Sequence, residues 1–375
     1  MSQKKTVICA IVFIGSLLCG NLRGEPAKPR RDKSLLLESK AAIARALQYL
    51  EDKQQENGSW RDNPAFTGLI VTAIMGGGMD EYGAESETVQ KALAYIRKHA
   101  RPNGGIYEKY YANYTTSICV MALIEAGQPE DKKLVRKAKE YLLNLQVDES
   151  EDMTTKDNQY GGWGYEKHQS GKGMHRADMS NTQLALEAVH ALQQAVEEDK
   201  PEDGAGKTRT ELAFDKALVY LQKCQKKDGG FVYRPNESKA GRRPDGTLRT
   251  YAGMTYAGLK SMIYARVDRN DRRVKAAMDW VSKHWTVERN PGIGQQGLYY
   301  YYQTLAKALN AANVEVIVSP KGERHDWRKE LVSHLLKVQK ENGSWVNENG
   351  RWMEQIPELV TSYSVLAIEQ ATRKW

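Results

Sequence analysis

One carboxylate stands apart in this 375-residue chain. Asp178 precedes Met179-Ser180-Asn181-Thr182 and a pattern of small polar and apolar residues that runs to Leu192, so it reads as the N-cap of a long amphipathic helix. Backbone N–H groups and the helix dipole at such a place hold a carboxyl pKa down. Burial raises it, and a buried Asp178 could then act as an acid. Ser180 and Asn181 follow it closely, and His175, Arg176 and Glu166 precede it in the same stretch.

The second chemical resource is aromatic. Twenty Tyr and eight Trp stand against four Phe, a skew toward rings with polar handles. Tyr299 to Tyr302 form an unbroken run, and a run of that length covers every side of a helix, so one or two rings must face inward. Tyr114, Tyr251, Tyr256 and Tyr363 fall early in other apolar segments, with Asn113, Thr115, Ser180, Asn181, Thr255, Gln303 and Thr361 as their polar fringe. Electron-rich faces suit a long polyene or a carbocation. They suit sugar stacking as well, and tyrosines also fill gaps while bonding helix carbonyls.

Other chemistries are poorly supplied. The seven histidines include no pair with metal-ligand spacing, and His168 and His175 lie in a Gly- and Lys-rich loop, so neither a metal nor a cofactor is assigned. Lys4 and Lys5, an apolar run from Thr6 to Cys19, and Gly20 to Gly24 have the three parts of a secretory signal peptide, too short for a comfortable membrane span. No small-residue lipobox precedes Cys19, so soluble export to the periplasm or the medium is favoured over a lipid anchor. Cleavage after residue 24 removes Lys4, Lys5 and Arg23 and takes the formal charge from +8 to +5. That excess is interleaved with acids, which argues against nucleic-acid binding. Cys119 and Cys224 sit on apolar helical faces and read as buried thiols.

The elements that must position these residues come from a repeat. After a linker at 25–37, residues 38–375 alternate between a charged helix, a glycine-aromatic turn and a bland helix. The turns read QQENGSW (54–60), RPNGGIY (101–107), NQYGGWGY (158–165), KKDGGFVY (226–233) and VQKENGSW (338–345), with a degenerate NPGIGQQGLYYYY at 290–302. Their aromatics Trp60, Tyr107, Trp163, Phe231, Tyr299 and Trp345 are spaced by 47, 56, 68, 68 and 46 residues, the length of a helical hairpin with insertions. Helices before the turns, near 38–55, 86–100, 132–146, 211–226, 271–285 and 324–340, carry charge on one face. Those after the turns are small and apolar all round, as helices buried on most faces are. About six outer and six inner helices imply an all-α, α6–α6 toroid. Trp60, Trp163 and Trp345 belong to its framework. The basic loop Lys227 to Arg249 is a rim excursion or a lid, and Glu197 to Arg209 a connection.

The turns resemble the glutamine-tryptophan repeats of the terpene cyclase and protein prenyltransferase superfamily. QxxxGSW occurs at Gln54–Trp60 and, nearly, as QKENGSW at Gln339–Trp345. The resemblance implies a toroid with a central cavity whose mouth is lined by inner-helix N-termini. Squalene-hopene-type cyclases carry Asp-x-Asp-Asp-Thr at an inner-helix start; here Asp178 and Thr182 match, while Ser180 stands at the proton-donating position beside Asn181. The zinc pattern of the prenyltransferases is not matched, because Leu298 and Val360 stand where Cys and His are needed. In Gly292-Ile293-Gly294-Gln295-Gln296, similar to the thioester motif of another toroid family, Ile293 replaces the thioester cysteine.

The expectation is therefore an exported toroid that binds an isoprenoid or other apolar ligand. Its ligand-binding candidates are Asn113, Tyr114, Ser180, Asn181, Tyr251, Tyr256, Tyr299, Gln303 and Tyr363, and its candidate acid, should it be a divergent cyclase, is Asp178. A non-catalytic lipid- or protein-binding toroid and a polysaccharide-active toroid are the rival expectations.

Overall fold

The computed structural model describes residues 32–167, 176–196 and 206–375. His168 and His175, the segment read as a signal peptide, most of the expected linker and most of the 197–209 connection lie outside the described residues. The described chain from Lys33 to Trp375 holds twelve α-helices in chain order. The outer set is α1 (Lys33–Asp52), α3 (Glu87–Lys98), α5 (Lys132–Leu143), α7 (Arg209–Cys224), α9 (Arg272–His284) and α11 (Trp327–Val338). The inner set is α2 (Pro64–Gly76), α4 (Ala112–Ala126), α6 (Met179–Ala195), α8 (Ala252–Tyr264), α10 (Leu298–Ala311) and α12 (Pro357–Thr372). Each inner helix packs on the next, and α12 packs back on α2, so the inner ring closes. Around it α11 packs on α1. This is the α6–α6 toroid that the repeat implies. A two-stranded hairpin, Ile317–Val318 with Arg324–His325, lies between α10 and α11.

The first helix begins earlier than the 25–37 linker allowed. Residues 33–37 are helical because Leu35 packs against the core and its carbonyl accepts from Ser39 Oγ at 2.6 Å. Cys119 and Cys224 are buried and unpaired, as read from their apolar faces.

The turns join the hairpins through three devices. The first is a tryptophan: Trp60, Trp163 and Trp345 donate their indole N–H groups to Leu50, Leu142 and Leu335 carbonyls at 2.7, 2.8 and 2.8 Å. Each ring thus ties the turn to a carbonyl in the last turn of its own outer helix.

The second is a glutamine just past the end of an outer helix, four residues before the turn glycine at Gln54, Gln225 and Gln339 and fifteen before it at Gln146. Gln54, Gln146, Gln225 and Gln339 each donate Nε2 to a carbonyl inside the turn. Each donates also to a carbonyl of the next outer helix, at Thr88 (2.8 Å), Ala213 (2.9 Å), Arg273 (2.8 Å) and Ala42 (2.8 Å). In the first three turns of that set the bridge runs to α3, α7 and α9, and in the last from the end of α11 to α1, closing the ring. Gln146 does this in place of the GSW-type glutamine, from the end of α5. The third device is the glycine. Gly343, at φ +85°, lies where a Cβ would stand 2.3 Å from the Arg45 carbonyl oxygen, so the turn can come this close to α1 only with glycine at that position.

The fifth hairpin departs from the pattern. Tyr299 is already inside α10, and Asn290 organises the turn instead. Its Nδ2 donates to the Gln296 carbonyl at 3.1 Å, and its Oδ1 accepts from Gly253 N at 3.1 Å.

Removing a bridge should loosen closure. Gln339→Ala, which removes both hydrogen bonds of its bridge, is expected to cost about 1–3 kcal/mol. Gly343→Ala should cost about 3 kcal/mol or more, because strain and overlap add. Urea unfolding measures both, and an unchanged midpoint in Gly343→Ala would contradict the ring contact.

Candidate functional site

The N-terminal turns of all six inner helices converge on one cavity of about 400 Å³. Its wall is aromatic: Phe66, Tyr114, Tyr165, Tyr233, Tyr251, Tyr300 and Tyr363 surround it, and Tyr110, Tyr111 and Trp352 form an exposed rim. Inner helices present side chains to the axis at three- and four-residue steps. Tyr114, Ser117 and Met121 do so on α4, Ser180, Leu184 and Glu187 on α6, and Tyr300, Gln303 and Lys307 on α10. Helical pitch makes each such set a single stripe.

Beneath the wall a second chamber of about 40 Å³ shares Tyr114, Tyr300 and Tyr363 with the cavity. The chamber also meets Thr72, Ser117, Glu187, Gln303 and Lys307. Glu187 Oε2 accepts from Lys260 Nζ at 2.5 Å and Oε1 from Lys307 Nζ at 2.6 Å, so one carboxylate serves two ammonium groups. Burial pushes the Glu187 carboxyl up, but the Lys260 and Lys307 charges hold it at about 2. Burial pushes Lys260 down to about 8, the attraction of Glu187 being offset by repulsion from Lys307.

Asp178 is the N-cap of α6, with Oδ1 accepting from Asn181 N and Oδ2 from Asn181 Nδ2, both at 3.0 Å. It is fully buried and stands behind the cavity wall: the N–H of Met179, next in the chain, donates to the carbonyl of cavity-lining Tyr233 at 2.9 Å, and Arg234 Nη2 lies 3.8 Å from the carboxylate. Burial raises its carboxyl pKa despite the bonds from Asn181 and the charge of Arg234. Desolvation therefore outweighs the helix-terminal effect that sequence favoured. Thr182, the other residue in common with the cyclase motif, receives the Trp163 backbone N–H at 3.0 Å. Thr67, Thr116, Thr255 and Thr361 do the same in their hairpins. The shared threonine is a turn clamp.

Of the candidates, Tyr114, Ser180, Tyr251 and Tyr363 line the cavity and Gln303 the chamber below. The other four fall elsewhere. Asn113 is buried with Nδ2 donating to Gly164 O at 3.0 Å, which ties α4 to the third turn. Asn181 is occupied by Asp178. Tyr256 packs against Tyr301 with ring centres 5.7 Å apart, and Tyr299 packs edge-on against Tyr302. Within the tyrosine run it is Tyr300 that faces the axis, because it shares a stripe with Gln303 and Lys307. Thr255 and Thr361, expected in the polar fringe, serve as turn clamps, while Thr115 does line the cavity. Glu166 and Arg176 are absent from the wall, and Glu166 instead accepts from Ala112 N at 3.2 Å.

Sequence reasoning missed Glu354. It lines the cavity, and its Oε1 accepts from Tyr299 N and Tyr300 N at 3.0 and 2.8 Å, capping α10 where Gly297 offers no side chain. Burial raises its carboxyl, with the α10 amides and Asn347 opposing. No local signal marks it, since the cap comes from 55 residues away. The basic loop after α7 is a fixed wall. Lys239 and Tyr233 face the cavity, with the ammonium 4.2 Å from the Tyr233 ring centre, and Arg234 Nε donates to Ala177 O at 3.1 Å.

The squalene-hopene cyclase C-terminal domain matches at residues 65–206 and the prenyltransferase alpha-alpha toroid domain at 247–375. The chain belongs to the terpene cyclase and prenyltransferase toroid superfamily. A curated relative in this superfamily, drimenyl diphosphate synthase of Streptomyces showdoensis, is 26% identical over 214 residues, 55% of this chain and 34% of that protein. The chain thus spans about a third of the length of the curated relatives it matches. Among solved structures, type II terpene cyclase MstE from Scytonema, in complex with geranylgeranyl dihydroxybenzoate, superposes with a TM-score of 0.56 at 15% identity. That match covers 91% of this chain and 99% of that one. An alpha-1,6-mannanase from Salegentibacter superposes with a TM-score of 0.55 at 11% identity over 89% of this chain and 99% of that one. Both likenesses are of fold. No described helix of this toroid is long and apolar enough to cross a membrane.

The Lys260–Glu187–Lys307 cluster makes asymmetric predictions. Glu187→Gln leaves two ammonium groups without a counter-charge and should cost about 3–5 kcal/mol, whereas Lys260→Met leaves a balanced pair and should be close to neutral. Lys260 titrates near 8 in the folded chain against 10.5 when unfolded, so the unfolded chain binds more protons in that window. Stability should therefore rise between about pH 8 and 10.5 relative to Lys260→Met. Urea midpoints across that range measure the difference, and parallel curves would contradict it.

Proposed function

We propose that this toroid is an exported binding protein for an isoprenoid or a comparably apolar ligand, held in the tyrosine-lined cavity without protonation by Asp178. The observation that carries this reading is the cavity itself. Its volume of about 400 Å³ lies in the range of small-molecule sites, and its wall offers aromatic faces from every inner helix or the loop before it. The superfamily supports the ligand class: the similar cyclase of known structure holds a geranylgeranyl substrate. Export rests on the three-part N-terminal segment.

The cyclase-like motif does not supply the chemistry. Alkene protonation needs an acid facing the ligand, and Ser180 is the residue of the cyclase-like motif that reaches the wall. Asp178 is directed into the protein, with both oxygens accepting from Asn181. One observation favours a cyclase as second reading: the buried, upshifted Asp178 lies beside cavity-lining Tyr233, whose carbonyl accepts from Met179 N at 2.9 Å.

Incubation of the full chain with squalene, followed by gas chromatography with mass detection and by measurement of squalene retained on the protein, decides between them. Squalene should be retained unchanged by wild type and by Asp178→Asn, since Asn also caps helices well. Tyr300→Ala should weaken retention about tenfold, the loss of one aromatic contact. A cyclised product that disappears in Asp178→Asn would establish the cyclase instead. Absence of both product and retention would remove the isoprenoid reading.

A further inference from the structure

The barrel axis changes character with depth. Glu187 lies eight residues after the start of α6, Lys260 eight after the start of α8 and Lys307 nine after the start of α10. At 1.5 Å per residue, all three sit about 12 Å below the inner-helix N-termini that carry the tyrosines. The cavity therefore has an aromatic wall and a charged floor. The two are in contact, since Tyr114, Tyr300 and Tyr363 line both spaces.

That floor is not electrically balanced. It holds two ammonium groups and one carboxylate, and both oxygens of the carboxylate are already used. Lys260 is wholly enclosed, whereas Lys307 lines the lower chamber. Among the described residues Lys307 makes one hydrogen bond, to Glu187, leaving two N–H groups without an acceptor. Gln303, one turn above Lys307 on the same stripe, lines the chamber too, and its amide N–H groups have no acceptor among the described residues. The next acid along the axis, Glu369 on α12, makes no ion pair with Lys307 within 4 Å. Burial also pushes its carboxyl well above the carboxylate range. A surplus positive charge away from water is costly unless an anion meets it.

We propose that the Lys307–Gln303 floor recognises the anionic end of an amphiphilic ligand, a carboxylate whose apolar body fills the tyrosine cavity above. The assignment rests on the reading of that cavity as an apolar-ligand site. The free donors, an ammonium and a primary amide, are those that a carboxylate accepts from. The chamber volume of about 40 Å³ suits a group the size of a carboxylate or one or two waters, and a diphosphate is larger than that space. A ligand seated this way lies along the axis, its anion at the floor and its chain among the rings. Glu187 then acts as a positioning residue that fixes Lys307, and Lys260 supplies a second positive charge from behind.

The test compares two probes with the same isoprenoid body, geranylgeranoic acid and geranylgeraniol, by equilibrium binding to the full chain at neutral pH. Wild type should bind the acid about tenfold or more tightly than the alcohol, the scale of one charge-assisted contact. Lys307→Met, which leaves Glu187 and Lys260 as a balanced pair, should abolish the preference and keep alcohol binding. Gln303→Leu should reduce the preference several-fold with Lys307 intact. Equal binding of acid and alcohol by wild type would overturn the floor assignment while leaving the cavity reading in place. A preference that survives in Lys307→Met would overturn it also, as would geranylgeranyl diphosphate binding more tightly than the acid. Failure of wild type to bind either probe would instead overturn the cavity reading on which the assignment rests.

Discussion

A side-chain amide that bridges two backbone carbonyls holds the hairpins of this protein in a ring. Gln54, Gln146, Gln225 and Gln339 each spend one NH₂ group on a carbonyl of their own turn and a carbonyl of the next outer helix. The bridge needs close contact, and the turn glycines provide it by presenting no Cβ to the neighbouring helix. Buried carbonyls without partners are costly, so each bridge both satisfies acceptors and fixes the angle between successive units. With the last bridge returning to α1, twelve helices acquire one closed geometry.

Closure decides what the inner helices can be. Packed on both neighbours and on the outer ring, they have one remaining face, turned to the axis, and their N-terminal turns gather at one end. The threonines that receive the turn amides, Thr67, Thr116, Thr182, Thr255 and Thr361, set the depth at which each inner helix begins. The cavity is thus a by-product of the scaffold, and its aromatic lining is what carries the proposed reading as a ligand site. The same scaffold accounts for Asp178. Tied to Asn181 and faced by Arg234, it stabilises a helix start behind the cavity wall.

Charge on the axis marks a different use of the interior. An apolar plug would fill the lower barrel at lower cost than a Lys–Glu–Lys cluster, because desolvating three ions is expensive even when they pair. The cluster also has a direction: Lys260 is closed off, and Lys307 faces the chamber beneath the tyrosines. A polar end below and aromatic rings above make the interior amphipathic along its axis, which is a property of binding sites more than of cores.

The architecture was largely legible in the residues themselves. Glycine after a helix, an aromatic next and a bland helix beyond are local, periodic signals, and they specify hairpins and their order. Half of the site was legible too. Tyr114, Ser180, Tyr251 and Tyr363 reach the cavity because they start inner helices, and Gln303 reaches the chamber one stripe lower. Lys260, Lys307 and Glu187 were visible as single charges in otherwise uncharged helices, though not as partners, since they are brought together from three hairpins. What tertiary structure alone decided was direction. Each helix has one face toward the axis, and sequence could not say whether Tyr299 or Tyr300 took it, nor that Asp178 would turn inward. Glu354 reaches α10 from a distant loop, leaving no local trace. Sequence determined the ring and the kinds of side chain near its centre, because both follow from periodicity. Closure decided which of them face the cavity, because only closure fixes how each helix is rotated about its own axis.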